Sequence, residues 1–480
     1  MTSPILRKAL SLAAIFLFCL SYWIHRYFGQ VDINQIAYHL NFGVDLVKTS
    51  DPIFTKRFIR WCVLAPVVFL LMLALAERRF RLGLTRMPRR WRPNAIMLYR
   101  GLPALLIAAA LGFWVWDVSA IKYVRSNFGP DYFGTNYVPP ESVALRERAP
   151  KNLVMIYVES LEVGYADPAT FGRNLIEPLT QLKGTHFPAY QQAPGTGWTI
   201  AALVATQCGV PLERVSIFDV NTQGQMMDSF LGKATCLPDL LAQHGYRNVF
   251  MGGASSRFSG KDKFLQQHHY HEIYGKDEWL RQGASEQAMN GWGLYDADLF
   301  GRAKAKLREL AASKQRFYLS LLTVDTHEPG GMLSAQCAQQ GYRDQFDGVV
   351  SCAAASVADF VRFAEQNGYL EDTNIVIVGD HLSRKNPLSP QLEQMPQRTI
   401  FNTFLSRQSA APNRAQLLHF DMLPTVLEFI GYEVPGGRLA LGYSGFNPHR
   451  HQPPPKRLEE MERELLNRSP EYLALWGGGD

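Results

Sequence analysis

Residues 152–162 read Asn-Leu-Val-Met-Ile-Tyr-Val-Glu-Ser-Leu-Glu, an apolar run from Leu153 to Val158 that stops on a carboxylate. A short run without polar alternation fits a strand covered on both faces. Similar runs recur at Val249–Met251, Phe317–Leu322 and Ile375–Val378. Helical patterns lie between them, at Ile200–Thr206, Leu237–His244, Ala297–Ala312 and Val357–Asn367. Strands alternating with helices predict an α/β fold, a mostly parallel central sheet flanked by helices.

In such sheets the ligand site lies beyond the carboxyl ends of the strands. The polar residues that follow the apolar runs are Glu159, then Asp325, Thr326 and His327, then Asp380 and His381. Thr199 opens a helical pattern in Gly-Thr-Gly-Trp-Thr-Ile, where it serves equally well as a helix cap. Each is weak alone. Together, two carboxylates, an imidazole and a hydroxyl suit a divalent cation that accepts mixed oxygen and nitrogen ligands, Zn2+ or Mn2+. A cation beside a threonine hydroxyl favours its alkoxide, and a helix start favours an incoming phosphate. Gly195 and Gly197 allow close backbone approach. His327 is suited to hydrogen-bond a phosphoryl oxygen or move a proton, and Lys261 and Arg257 to offset phosphate charge. No glycine-rich dinucleotide or P-loop motif follows a strand.

Working outward, the chain of 480 residues is long for one domain. Residues 1–125 hold 17 Lys and Arg against 5 Asp and Glu, whereas the remainder holds 32 against 38. The basic excess therefore belongs to the apolar first quarter, and no Lys/Arg-rich run supports nucleic-acid binding in the rest. Three apolar stretches predict transmembrane spans at about 8–27, 58–76 and 101–121. Residues 9–24 continue into Tyr-Trp-Ile-His-Arg, which is no signal-peptide cleavage site. Arg78, Arg79, Arg81, Arg86, Arg89, Arg90, Arg92 and Arg100 separate the second and third stretches. By the positive-inside rule that loop is cytoplasmic and everything after the third span lies outside, in the periplasm or at the surface of a bacterium. The organisation expected is a transmembrane region over 1–124, a connector over 125–150, a catalytic domain over 151–446 and a C-terminal tail over 447–480.

Cys208, Cys236, Cys337 and Cys352 all fall in the exterior part, an even count that suits an oxidising compartment. Sequence proximity favours Cys208–Cys236 and Cys337–Cys352 among three possible pairings. Four buried free thiols are the alternative.

The segments Asn152–Glu162, Gly195–Leu212 (GTGWTIAALVATQCGVPL), Arg257–Asp262, Thr323–His327 and Gly379–His381 carry a resemblance. Over residues 152–446 the chain resembles the alkaline phosphatase/sulfatase superfamily. The branch is that of lipoteichoic acid synthase and the phosphoglycerol transferases of osmoregulated periplasmic glucan modification. The resemblance implies that Glu159, Thr199, Asp380 and His381 hold one divalent metal ion, Mn2+ or Zn2+ with Mg2+ as a third candidate. It implies that Thr199 takes the phosphoryl group covalently and that His327 contacts substrate. Trp198, Arg257 and Lys261 complete the substrate-binding candidates. Ser259 and Lys261 fall where lipoteichoic acid synthase has a Trp and an Arg, so phosphate contact passes to Lys261 without the aromatic neighbour. A sulfatase nucleophile sits in C/S-x-P-x-R, and Cys208-Gly-Val-Pro is off that register.

The activity implied is transfer of phosphoglycerol from phosphatidylglycerol to a periplasmic glucan at the bacterial inner membrane, releasing diacylglycerol. A phosphoethanolamine transferase, a lipid-head-group phosphodiesterase and an inert membrane scaffold are the alternatives.

Overall fold

The three apolar stretches of the first quarter fold as helices. The computed structural model describes residues 4–29, 31, 35–36, 48–117, 120–212, 229–408, 410–446 and 452–477. Helix α1 covers Pro4–Phe28, α2 Ala65–Arg86 and α3 Arg92–Asp117. A helix over Pro52–Phe58 and a π-helical turn over Ile59–Leu64 lead into α2. Pro66 has no N–H to donate, which matches a shifted hydrogen-bond register just before it. The apolar segments Ile5–Phe28, Pro52–Arg86 and Arg92–Asp117 are each long and apolar enough to cross a membrane. Residues 118 and 119 of the third expected span lie outside the described residues.

The chain divides into two units, residues 1–36 with 50–125, and residues 37–49 with 126–480. The second is built on six strands: β1 (Asn152–Val158), β2 (Arg247–Gly252), β3 (Glu272–Tyr274), β4 (Phe317–Leu322), β5 (Thr373–Gly379) and β6 (Asn402–Leu405). Their order is β3-β2-β4-β1-β5-β6. All neighbours are parallel except β6, which runs antiparallel to β5. Strands β3 and β6 escape the sequence reading because Glu272 and the polar Asn402-Thr403 interrupt any apolar run.

Side chains of β1 alternate between two cores. Leu153, Met155 and Tyr157 face a cluster shared with helices α4 (Thr199–Cys208), α5 (Leu237–Gln243) and α9 (Met422–Phe429). Val154, Ile156 and Val158 face a second cluster with α7 (Asp296–Ala312) and α8 (Phe346–Gln366). Both faces are dry, which is why the strand carries no polar alternation. Helix α6 (Lys261–Gln267) follows β2. Helix α8 starts well before the expected Val357, because buried small residues such as Gly348, Ala353 and Ala354 carry little hydrophobic signal.

Two boundary expectations need correction. Residues 126–150 of the expected connector 125–150 belong to the second unit: Tyr132 and Phe133 are buried in the first core, and Arg146–Glu147 pairs with Tyr432–Glu433. The expected tail also folds, as α10 (Arg457–Glu464) and α11 (Pro470–Leu475). Met461, Leu465, Tyr472 and Trp476 are buried in the same core. Buried Arg457 places Nη1 2.8 Å from Asp421 Oδ1 and donates Nη2 to Leu441 O at 2.7 Å. The charged surface of the α10 sequence conceals one apolar stripe, which reads as a solvated helix until something is packed against it. Both expected disulfides are present, Cys208–Cys236 and Cys337–Cys352.

Candidate active site

Glu159 follows β1 at the carboxyl edge of the sheet, and the chain turns sharply there. Ser160 adopts a left-handed φ of 56°, a strained setting for a non-glycine residue. The turn is held by Ser160 N, which donates to Asp380 Oδ1 at 2.7 Å, and by Ser160 Oγ, which donates to Glu159 Oε1 at 2.7 Å. Asp380 follows β5, the neighbouring strand. Gly379 is required before it, since a Cβ there would lie 2.1 Å from Leu161 O.

Three buried groups meet at this edge. His381 Nε2 lies 3.5 Å from Glu159 Oε1 and 3.5 Å from Asp380 Oδ2. Its Nδ1 donates to Leu382 O at 2.9 Å, which leaves Nε2 to face the carboxylates and to serve as the ligand atom. The ligand atoms of Glu159, Asp380 and His381 all lie within 4.8 Å of one another. Thr199, half-buried at the first turn of α4, donates Oγ1–H to Glu159 Oε2 at 3.2 Å. Gly195 (φ 73°) shapes the approach, and a Cβ there would lie 2.8 Å from Pro211 Cβ.

The electrostatics fit a cation. Asp380 Oδ2 is buried without a hydrogen-bond partner, a costly state for a carboxylate oxygen. Burial and the charge of Glu159 push the Asp380 carboxyl up to about 7. Burial also opposes ionisation of Glu159, but His327 and His381 hold it below the usual carboxylate range. A divalent ion bound by Glu159, Thr199, Asp380 and His381 would satisfy the orphaned oxygen and the Nε2 lone pair together.

Around this cluster lie the other expected residues. His327 donates Nδ1 to Glu328 O at 2.9 Å. Burial works against its imidazolium, but Glu328 and Glu159 outweigh burial and raise its pKa. Lys261 is 4% exposed, and burial draws its ammonium down to about 8 against the opposing pull of Glu159, Asp262 and Asp380. It is therefore an internal cation of the site, not a solvated loop lysine.

Two expectations are placed differently. Trp198 is packed into the first hydrophobic core, and Arg257 is exposed on the turn before α6. Cys208, Cys236 and buried His268 also cluster, but the two sulfurs are bonded to each other and cannot serve as thiolate ligands.

Several contributors gave little sign of themselves in the sequence. Glu328, 3% exposed, has Oε1 3.5 Å from Arg384 Nη1 and a carboxylate near Glu159 and His327. Its position one residue after His327 at a strand end was the available signal. His419 Nε2 donates to Asp380 O at 2.7 Å, and burial lowers its pKa to about 4, so it supports the site as a neutral ring. Glu162 accepts from Ser383 N at 2.7 Å and from Arg398 Nε at 2.9 Å, bracing the loop after His381. Nothing in the local sequence marks His419 or Glu162.

The family model described as Sulfatase matches residues 151–432. The chain belongs to the sulfatase family. Within that family it is 35% identical over 372 residues to phosphoglycerol transferase I of Shigella flexneri, covering 75% of this chain and 47% of that protein. The chain thus spans about half the length of the curated relatives it matches. Among solved structures, this sulfatase-family chain is similar to the lipoteichoic acid synthase LtaP of Listeria monocytogenes. There the TM-score is 0.49 at 17% identity, over 72% of this chain and 94% of that one. The Streptococcus pyogenes phosphoglycerol transferase GacH, solved with sn-glycerol-1-phosphate, gives 0.44 at 13% identity, over 72% and 90%.

Proposed function

We propose that this sulfatase-family protein is a membrane-anchored phosphotransferase that moves phosphoglycerol from phosphatidylglycerol to a glucan hydroxyl outside the inner membrane. The observation that carries the reading is the Thr199 hydroxyl, bonded at 3.2 Å into a buried carboxylate–imidazole cluster at a helix start. Identity to phosphoglycerol transferase I supports the cargo. The eight arginines from Arg78 to Arg100, carried by the end of α2, the start of α3 and the turn between them, support the orientation, with the catalytic unit in the periplasm.

The reaction divides into two displacements. Thr199 Oγ1 forms a bond to phosphorus, the ester bond to diacylglycerol breaks, and the leaving oxygen takes a proton from His327. The hydroxyl's own proton departs on the Glu159 Oε2 side. An acceptor hydroxyl then gives its proton to His327 and bonds to phosphorus, while the bond to Thr199 Oγ1 breaks and that oxygen recovers its proton from the Glu159 side. When bound, the divalent ion supplies Lewis-acid lowering of the threonine hydroxyl's pKa. Lys261 and the unpaired N–H groups opening α4 balance the phosphate charge. Tethering by the apolar helices keeps the site at high effective concentration near a lipid donor.

The deciding experiment incubates the purified full chain with vesicles carrying glycerol-labelled phosphatidylglycerol or ethanolamine-labelled phosphatidylethanolamine, with and without glucan. Label from the first should reach glucan. Transfer of ethanolamine label would establish the phosphoethanolamine reading, and free glycerophosphate as the sole product a phosphodiesterase.

Lys261 gives a pH test. Its buried ammonium has a depressed pKa near 8, so the charged form is lost as pH rises through that value. kcat/KM for the lipid donor should therefore fall above about pH 8. Lys261→Arg, whose side chain stays charged throughout, should flatten that fall. An identical alkaline limb in the variant would remove Lys261 from donor binding.

A further inference from the structure

His327 has an aromatic backstop. The indole of Trp292 lies against its ring with centroids 4.3 Å apart, and Phe258 packs edge-on to that indole at 5.1 Å. Trp292 is 3% exposed and lies in a tight turn, not in a helix or strand. Asn290 builds the turn: its Oδ1 accepts from Trp292 N at 2.8 Å and from Gly293 N at 2.9 Å. The turn is pressed onto the end of β2. Leu294 N donates to Gly253 O at 2.9 Å, and a Cβ on Gly293 would lie 2.0 Å from that same oxygen.

A pair of buried carboxylates fastens this turn to the loop that carries His327. Asn290 Nδ2 donates to Asp325 Oδ1 at 2.8 Å, and Asp296 N donates to Asp325 Oδ2 at 3.1 Å. In return, Asp296 accepts from Val324 N at 2.8 Å and from Asp325 N at 3.2 Å. Each carboxylate thus caps the other's segment, and the start of α7, the Trp292 turn and the His327 loop form one closed ring of bonds. Burying two carboxyl groups side by side is unfavourable in itself.

We propose that Trp292 is a positioning residue that holds the His327 ring toward the reaction centre, and that the reciprocal Asp296–Asp325 latch holds Trp292. The proposal rests on the role given to His327 above. It extends the site to the turn that carries Trp292. The chain of action is mechanical: carboxylates fix the turn, the turn fixes the indole, and the indole fixes the imidazole.

The test uses the full chain on phosphatidylglycerol vesicles with four variants: Trp292→Ala, Trp292→Phe, Asp325→Asn, and Trp292→Ala with Asp325→Asn. Losing the ring should lower kcat by about 10²-fold, the scale of a catalytic group displaced by about 1 Å, with KM little changed. Phe keeps a ring and should recover most of the rate. Because the latch acts through Trp292, the double variant should be no slower than Trp292→Ala alone. Imidazole NMR signals, with His327 assigned by His327→Gln, supply a readout that needs no turnover. The carbon-bound His327 protons should shift on loss of the indole and shift part-way in Asp325→Asn. Multiplying rate losses in the double variant, or His327 signals unmoved by Trp292→Ala, would overturn the proposal. Should the native chain release no diacylglycerol, the proposed function fails while the NMR still decides the latch. Trp292→Phe keeps the decision open if the smaller side chain prevents folding.

Discussion

Thr199→Ala is expected to abolish diacylglycerol release from phosphatidylglycerol vesicles, by at least about 10⁴-fold, the scale of deleting an enzyme's nucleophile. The substitution removes the hydroxyl and one methyl group and leaves a good helix former at the start of α4, so the fold has no reason to change. Glu159, whose Oε2 accepts the hydroxyl, keeps the electrostatic support of His327 and His381, the latter 3.5 Å from Oε1, so no buried charge is stranded. Thr199→Ser keeps the oxygen and should keep measurable turnover. It should also be labelled covalently when the reaction is quenched with glycerol-labelled donor, as the native chain is. Undiminished release by the alanine variant would mean that water attacks phosphorus directly and that Thr199 is only a helix-start residue.

Stripping divalent ions should have the next largest effect, on stability and activity together. Without an ion, Asp380 Oδ2 stays buried without a hydrogen-bond partner, and His381 Nε2 faces two carboxylates at 3.5 Å. An ion that binds only the native state at one hundred times its Kd adds about 2.7 kcal/mol. Chelation should therefore lower Tm by several degrees and end turnover, and Mn2+ or Zn2+ should restore both. Protons compete for the same oxygen, with Asp380 raised to about 7 in the ion-free site. Affinity should accordingly weaken as pH falls below that value. Calorimetry at two pH values reads this directly. A chelated chain with native Tm and native rate would exclude a resident metal, and Asp380→Asn serves as the control that should no longer respond to added ion.

Much of this architecture is legible in the amino-acid sequence. A strand buried on both faces has to be written in uninterrupted apolar letters, and Leu153–Val158, Phe317–Leu322 and Ile375–Val378 were. The carboxyl-edge rule then selected Glu159, His327, Asp380 and His381, because a parallel sheet delivers its strand ends to one side. What stayed hidden was whatever depends on long-range packing. Edge strands β3 and β6 are too short and polar to announce themselves. The helices after residue 456 look solvated because a single apolar stripe suffices to dock them. Trp198 reads as a site residue from its neighbours in sequence, yet its side chain turns into the core. His419 and the Asp296–Asp325 pair act across separations that no local pattern encodes.

The disulfide between Cys208 and Cys236 has a bearing on Thr199 as well. Thr199 is the first residue of α4 and Cys208 the last, so the helix behaves as a short rigid beam with the proposed nucleophile at one tip and a covalent bolt at the other. The bolt secures it to the residue that opens α5. On the proposed mechanism, the aim of that hydroxyl thus becomes a matter of redox history. A chain folded where thiols stay reduced would carry the same hydroxyl on an unfastened beam.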